Sequence, residues 1–358
     1  MSAISPSDLP SVLRSASVRL TLHDAGGGRA IRWDDVGALD WSDFALVLGA
    51  GGATGLSFEA GCLLALAVDH RIRIGSARLL VGTSAGSIAA TLIALGFEVA
   101  DLAAVVRDLR EHVDPALATM AVQFTDDLPR MPGVVHLLRR PTIGSTMTGV
   151  GMVLQRRFTA ALANALRQGE FDLRPQLGFL DSVDWPEPDD RLRICATETT
   201  TGHRRVFSGA SAVPLKDAVS ASCAVPGVMH PVVIDDMAYL DGGLVSPTNA
   251  DVLGQFTGGL IVVISPMSGR RSSSTIGRVS SAHAQRRLSS EVKHLRARRP
   301  VLVVEPNDAL SAMVVGRAFS TEQTGTILTA AFLGGSGSLD APMRPRRVRQ
   351  GSNGRRLG

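Results

Sequence analysis

The sequence predicts one α/β domain, built on a mainly parallel sheet with helices packed against it. Three observations support this fold class. Continuous apolar runs at residues 44–48 and 259–264 are typical of strands that are buried on both faces. Glycine-rich turns follow the apolar runs at 44–48 and 79–81, and a helical pattern begins directly after each turn. Strands that alternate with helices in this way indicate a layered α/β domain.

The elements can be placed in chain order from the same patterns. Residues 17–22 alternate between apolar and polar side chains, so we expect a strand at the edge of the sheet. The remaining strands are expected at residues 44–48, 78–81, 192–196, 204–207, 230–234, 238–240, 259–264 and 301–304. Helices are expected at residues 56–69, 85–95, 99–110, 115–124, 151–168, 215–223, 279–298 and 309–333.

These elements indicate one domain over residues 43–333, preceded by an N-terminal extension at 1–42. Residues 126–150 are rich in proline, glycine, threonine and methionine. A loop of that length in a compact domain is usually a lid, a binding loop or a disordered segment. From residue 334 to residue 358 we expect a disordered basic tail.

Composition favours a cytoplasmic protein that folds around its own core. Hydrophobic residues make up 45% of the chain and charged residues 20%, as in globular domains. The three cysteines lack metal-type spacing, argue against a disulfide framework and fit a reducing compartment. The first ten residues lack the basic start and apolar core of a signal peptide. Glycines and acids interrupt the apolar stretches 44–68 and 85–106, which we interpret as buried strand–helix units rather than membrane spans.

The basic charge is concentrated in two segments. The formal net charge is +4, yet residues 344–358 carry six arginines and residues 270–299 carry a net charge of +8. Such runs are usually a solvated face and a disordered tail, and the alternative is peripheral contact with an anionic membrane surface. No aromatic residue lies within either segment to stack on bases, so a nucleic-acid partner is not expected.

Gly82, Ser84 and Gly86 form a Gly-x-Ser-x-Gly pattern between an apolar strand and a helix. A serine at this turn is held out from the backbone as a nucleophile, and its neighbours must be small because strand and helix approach closely. The unpaired amides at the start of the helix can help to bind an oxyanion. The alternative is a tight structural turn.

A second glycine-rich turn, residues 49–55, also follows a strand and opens a helix. A dinucleotide-binding loop would need an acid at the end of the next strand, about 20 residues on, but Asp69 falls near the end of a helix. In the other interpretation, glycine amides converge on the carbonyl oxygen that a serine attacks. We favour this oxyanion loop because the Ser84 turn lies directly downstream.

The base for Ser84 is expected at Asp241, in the run Tyr-Leu-Asp-Gly-Gly. The carboxylate ends a strand, and Gly242 and Gly243 let the backbone turn sharply, although a plain Asp-Gly turn has the same pattern. An aspartate hydrogen-bonded to a serine can act as general base. No histidine after Ser84 lies in a glycine-flanked loop at a strand end, and an α/β-hydrolase that uses His283 is kept as an alternative.

In order and spacing, these motifs resemble the patatin-like phospholipase family, in its bacterial type. That family usually shows a GGGxRG-type oxyanion loop, a GxSxG turn and a late DGG or DGA motif. The corresponding segments here are residues 50–55, 82–86 and 241–243, and the runs 194–202, 220–227 and 246–249 are also similar. The resemblance covers about residues 43–265.

The resemblance implies a three-layer α/β fold, with helices on both faces of a mainly parallel sheet. It also implies hydrolysis of fatty-acyl esters of lipids by a Ser–Asp dyad, with no histidine, metal or cofactor. Ser84 would be the nucleophile and Asp241 the proton acceptor. The implied oxyanion donors are the amides of Gly51, Gly52 and Ala53, and the implied motif-supporting residues are Gly55, Gly82, Gly86, Gly242 and Gly243.

The sequence departs from the family pattern at two positions of the oxyanion loop. Ala50 replaces the first glycine, and Thr54 replaces the usual arginine. These departures motivate a second hypothesis, a catalytically impaired patatin-type protein that binds membranes or partners through its arginine-rich segments. The sequence predicts neither the headgroup of the lipid substrate nor the oligomeric state.

Overall fold

The structure is a computed structural model that describes residues 16–107, 172–188, 190–226, 228–270, 275–315 and 323–335. Several predictions fall on other parts of the chain. The helices expected at 115–124 and 151–168, the lid loop expected at 126–150 and the tail beyond residue 335 all lie outside the described residues.

In the described part of the chain, ten strands form one mixed sheet. They are β1 (Val18–Asp24), β2 (Gly27–Ala30), β3 (Phe44–Leu48), β4 (Leu79–Thr83), β5 (Leu192–Glu198), β6 (Arg204–Phe207), β7 (Val232–Ile234), β8 (Met237–Asp241), β9 (Leu260–Ile264) and β10 (Val301–Pro306). Their order is β2-β1-β10-β9-β3-β4-β5-β8-β7, and β6 pairs with β5. The central strands β10, β9, β3, β4 and β5 are parallel, which confirms the predicted mainly parallel centre.

The prediction that residues 17–22 form an edge strand is wrong in one respect. β1 lies between β10 and β2, and it pairs with both in antiparallel register. Its alternation is real, since Leu20 and Leu22 are buried while Arg19 and Thr21 are half-exposed. A one-sided pattern shows that one face of a strand is covered, but it does not show which strands flank it. The predicted N-terminal extension thus contributes two strands to the sheet.

The helices of the described residues cover both faces of the sheet. They are α1 (Gly52–Asp69), α2 (Ala85–Ala94), α3 (Val99–Arg107), α4 (Leu215–Ser222), α5 (Thr275–Leu295), α6 (Asp308–Val314) and α7 (Thr324–Gly335). Leu46 and Leu48 of β3 belong to the apolar core shared with α1, α2 and α7. Ala45 and Val47 belong to a second core shared with α5. β3 is therefore buried on both faces, and the predicted three-layer arrangement is confirmed.

α1 is the one described helix that is long and apolar enough to cross a membrane by length and composition. However, 72% of it is buried inside the structure. It packs against α7 on the same side of the sheet. This burial is typical of a core helix.

The C-terminal helix differs from the prediction. The single helix expected at 309–333 is two helices, α6 and α7, because Val315 adopts an extended backbone (φ −77°, ψ 124°) and ends α6. Gly334 and Gly335, which the prediction assigned to the tail, form the last residues of α7.

Candidate active site

The carboxyl ends of the parallel strands β3, β4 and β9 meet at one edge of the sheet, where both glycine-rich turns lie. The glycine loop leaves β3 there, and the amide of Gly49 donates to the carbonyl of Ile264 at the end of β9 (3.1 Å). Ser84 follows the neighbouring strand β4 directly. The topology therefore brings the two predicted motifs together.

Ser84 occupies a strained turn. Its backbone is at φ 54° and ψ −128°, and α2 begins with the next residue. A positive φ at a residue other than glycine costs about 1–3 kcal/mol and persists only where the surroundings fix it. The carbonyl of Ser84 accepts from the amide (2.8 Å) and the hydroxyl (2.6 Å) of Ser87. Gly82 and Gly86 leave room for the turn, since a Cβ at either would collide with backbone atoms.

Ser222 fixes the other side of the turn. Its hydroxyl donates to the carbonyl of Cys195 (2.7 Å) and accepts from the amide of Ser84 (2.9 Å). The amide of Ser84 is thus already satisfied and is not a free oxyanion donor. Ser222 lies within the run 220–227 that resembled the family, but no feature of that run predicted this role.

Asp241 reaches Ser84 across the end of β5. β5 lies between β4 and β8, and Thr83 is paired with Cys195 while Asp241 is paired with Ala196. Gly242 lies against this junction, where a Cβ would collide with the Cys195 carbonyl. The sheet register therefore places the aspartate beside the serine turn.

The carboxyl group of Asp241 lies beside the side chain of Ser84. Its Oδ1 also accepts from the amide of Gly243 (2.7 Å). Both Ser84 and Asp241 are only 6% exposed. Burial raises the pKa of Asp241 from 3.8 to about 6, and the side chain of Ser84 and the amide of Gly243 limit this rise. A carboxyl group with this pKa is about nine-tenths ionised at pH 7, so it can accept a proton there.

The glycine loop borders both of these turns. Gly51 is the residue before α1, and the first turn of α1 begins at Gly52, whose φ of +61° suits glycine. The first backbone bond of this helix runs from the amide of Gly55 to the carbonyl of Gly51 (3.0 Å). The preceding amides, including that of Ala53, have no intrahelical acceptor and lie at the positive end of the helix dipole.

A family model described as patatin-like phospholipase matches residues 46–253, which is more than half of the chain. The chain belongs to the patatin-like phospholipase family. The matched range includes the glycine loop, Ser84 and Asp241.

Two solved structures match this patatin-like chain over most of its length. The crystal structure of VipD from Legionella pneumophila is 13% identical, with a TM-score of 0.37, and the match covers 83% of this chain and 66% of VipD. The type III effector protein ExoU is 18% identical, with a TM-score of 0.33, and the match covers 83% of this chain and 52% of ExoU. The chain thus spans about two thirds of VipD and about half of ExoU. No curated protein sequence matches the chain.

The two departures from the patatin pattern have clear places in the structure. Ala50 is buried, its backbone φ is not positive, and its amide donates to the carbonyl of Pro247 (2.7 Å). Thr54 is fully buried, and its hydroxyl lies 3.1 Å from the carbonyl of Val314 and 3.3 Å from that of Gly51. Thr54 thus ties the glycine loop to the end of α6.

Asn249 links the serine turn to the aspartate turn of this patatin-like domain. Its Nδ2 lies 3.0 Å from Thr83 Oγ1 and 3.3 Å from the carbonyl of Gly242, and it also donates to the carbonyl of Ser246. Thr83 precedes Ser84, and Gly242 follows Asp241. Asn249 Oδ1 accepts from the Arg204 guanidinium (3.1 Å), which also pairs with Asp251.

Glu291 supports the same segment from α5. Its Oε2 accepts from the hydroxyl of Thr248 (2.6 Å) and from the amide of Ala250 (3.0 Å). Burial raises the pKa of Glu291, and hydrogen bonds from Ser246 and Thr248 oppose this rise. The loop that carries Asn249 is therefore held from both sides. Neither Glu291 nor Asn249 was predicted as a site residue.

His283, the alternative base, lies on α5 and is buried. It hydrogen-bonds to the backbone of Gly243, and burial together with the Arg287 and Arg286 charges lowers its pKa. The three cysteines are free and buried, and burial raises the pKa of each thiol. Among the described residues, no three histidine, cysteine, aspartate or glutamate side chains are grouped so as to hold a metal ion.

Proposed function

We propose that this protein is a serine acyl hydrolase that cleaves fatty-acyl esters of phospholipids or related lipids. Ser84 is the nucleophile and Asp241 is its general base. The amides of Gly51, Gly52 and Ala53 form the oxyanion hole. No metal or cofactor enters this mechanism.

In the first half of the reaction, Ser84 Oγ attacks the acyl carbonyl carbon while its proton passes to Asp241. The carbonyl oxygen becomes an oxyanion and accepts hydrogen bonds from the glycine loop, where each such donor is worth about 3 kcal/mol of transition-state stabilisation. The ester C–O bond then breaks, and Asp241 returns the proton to the leaving alcohol. The product is an acyl-serine.

In the second half, water attacks the acyl-serine. Asp241 accepts a proton from the water, and the same amides stabilise the second oxyanion. When the acyl C–O bond to Ser84 breaks, Asp241 gives the proton back to the serine. The fatty acid leaves, and the dyad is restored.

One observation carries this proposal: a serine on a strained turn before a helix lies beside a buried aspartate whose pKa is raised. A general base works best when its pKa is near the working pH, and burial brings Asp241 to about 6. A histidine is not needed for proton transfer in this arrangement.

The proposal is tested by measuring turnover of p-nitrophenyl acyl esters. Ser84→Ala is expected to lower kcat at least about a thousandfold, because the nucleophile is lost. Ser76→Ala, which removes an exposed hydroxyl bonded to the Arg73 carbonyl, is the matched control and should keep wild-type turnover. Full activity in Ser84→Ala would refute the assignment.

The competing hypothesis is a catalytically impaired protein, motivated by Ala50 and Thr54. Labelling with a fluorophosphonate separates the two proposals, since only an activated serine reacts. An unlabelled Ser84 in folded wild-type protein, together with absent turnover, would favour the impaired form. The buried hydrogen bonds of Ala50 and Thr54 favour an intact loop instead.

We further propose that the protein acts in the cytoplasm, at the surface of anionic membranes. The basic charge of the segment 270–299 supports this placement, because anionic lipids attract lysine and arginine near the membrane surface.

A further inference from the structure

A groove of about 620 Å³ lies between β1 and α5, and the Ser84–Asp241 site contributes no residue to it. Its floor is the polar face of β1 with the adjoining face of β10, where Thr21 is paired with Val303. Leu288 and Val292 of α5 form the wall. A volume of this size is in the range of pockets that hold small molecules.

The lining of this groove, which we call the basic groove, carries an excess of positive charge. Its basic side chains come from three parts of the fold, namely Arg19, His23, Arg270, Lys293 and Arg296. Glu305 is the one acid among the described lining residues, and it pairs with Arg19 (3.2 Å). Among the described lining residues, no ion pair joins Glu305 to Arg270, Lys293 or Arg296. Such a concave cluster focuses positive potential and attracts anions.

The side chains of the basic groove suit a phosphate group in particular. Arginine presents a planar fork that binds phosphate oxygens in pairs, and lysine adds a compact charge.

The groove extends to the carboxyl ends of β9 and β10, because Arg270 follows β9 and Glu305 lies near the end of β10. Ser84 follows β4 at the same edge of the sheet.

We propose that the basic groove is a binding site for a phosphate-bearing ligand, separate from the acyl-hydrolase site. The ligand is either the headgroup of an anionic phospholipid or a soluble phosphate compound. This inference rests on the groove and does not depend on the proposed function.

The test is binding of inorganic pyrophosphate and of lipid vesicles to the full chain. Wild type is expected to bind pyrophosphate by calorimetry, and Lys293→Gln/Arg296→Gln should weaken this binding at least about tenfold, because two charge-assisted contacts are lost. The matched control is Arg73→Gln/Arg286→Gln, which removes the same charge from exposed residues outside the groove lining. Thermal unfolding of each variant checks that the fold is intact.

His23 provides a local readout of occupancy. Burial and the Arg296 charge lower its pKa, while Glu305 and Asp24 oppose this effect. A bound phosphate adds negative charge beside the imidazole, so pyrophosphate should raise the pKa of His23 in an NMR titration. The control variant should show the same rise, and Lys293→Gln/Arg296→Gln should show little.

Vesicles distinguish the two ligand sources. If the ligand is a lipid headgroup, vesicles of equal parts phosphatidylcholine and phosphatidylserine will bind wild type and the control variant but not the groove variant. Pyrophosphate binding without vesicle binding would assign a soluble phosphate compound. Absence of binding to either probe would overturn the proposal. Equal weakening in the groove variant and the control would also overturn it, since it would show non-specific attraction.

Discussion

Replacing Asp241 by asparagine is expected to abolish ester hydrolysis and, at neutral pH, to stabilise the fold. The pKa of Asp241 is raised by burial from 3.8 to about 6, so the folded protein prefers the protonated carboxyl. The stability that this preference contributes is fully present below pH 3.8 and is lost as the pH rises through about 6. Above that pH, the buried carboxylate costs about 3 kcal/mol relative to an aspartate with an ordinary pKa.

Asparagine has nearly the same shape and does not titrate, and its Oδ1 can still accept from the Gly243 amide. The free energy of unfolding of Asp241→Asn should therefore match that of wild type near pH 4 and exceed it by up to about 3 kcal/mol at pH 8. Urea unfolding at the two pH values measures this difference. The kcat for a p-nitrophenyl ester should fall at least about a thousandfold, because asparagine cannot accept the proton of Ser84.

Asp251→Asn is the matched control, because its pH dependence has the opposite sign. Burial alone would raise the pKa of Asp251, but the Arg204 guanidinium lowers it below its ordinary value. Its stabilising contribution is therefore present at neutral pH and is lost on acidification, so Asp251→Asn should be destabilised at pH 8 and less so at low pH. If Asp241→Asn instead loses stability between pH 4 and pH 8 relative to wild type, or keeps full activity, the buried-base reasoning is refuted.

The contacts of the site lead to four further predictions. The kcat/KM of wild type should be about tenfold lower at pH 5 than at pH 7, because Asp241 must be ionised, and a flat profile of initial rates over this range would exclude that base. Asn249→Leu should lower kcat and leave KM nearly unchanged, since the donor shared by the two turns is lost; steady-state kinetics with unchanged kcat would contradict this role. Thr54→Val should lower the free energy of unfolding in urea by about 1 kcal/mol through loss of the bond to Val314, and Thr54→Ser, which keeps the hydroxyl, should restore it. Equal stability of Thr54→Val and wild type would contradict this role of the hydroxyl. His283→Gln should keep turnover within about tenfold of wild type, and a thousandfold loss would favour the histidine-based alternative.

Local sequence patterns were sufficient to predict the centre of the fold and the turn at Ser84. Apolar runs identified β3, β9 and β10 because strands buried on both faces need apolar side chains at successive positions. The Ser84 turn was predictable because only small residues can flank it. A Cβ at Gly82 or Gly86 would collide with backbone atoms.

The contacts that hold the site together could not be predicted in the same way. Ser222 and Asn249 act on residues far away in the chain, at separations of 138 residues to Ser84 and 166 residues to Thr83. Serine and asparagine near turns usually form local hydrogen bonds with the backbone, so the residue type alone does not indicate a distant partner. The place of β1 was missed for a related reason: its alternation shows a covered face, whereas its neighbours are set by the pairing with β10.

The site contains two features that oppose folding, and these long-range contacts account for their persistence. The strained backbone of Ser84 costs about 1–3 kcal/mol, and the ionised Asp241 costs about 3 kcal/mol at neutral pH. Together they are a large part of the net stability of about 5–15 kcal/mol that is typical of a domain. The orientation of Asn249 follows from the chemistry of its partners: Arg204 can only donate, so Oδ1 must face it, and Nδ2 then faces Thr83 and Gly242. Because this amide bridges the residue before the serine and the residue after the aspartate, neither turn can relax without breaking a buried hydrogen bond. The fold thereby keeps Ser84 and Asp241 side by side although both residues oppose folding.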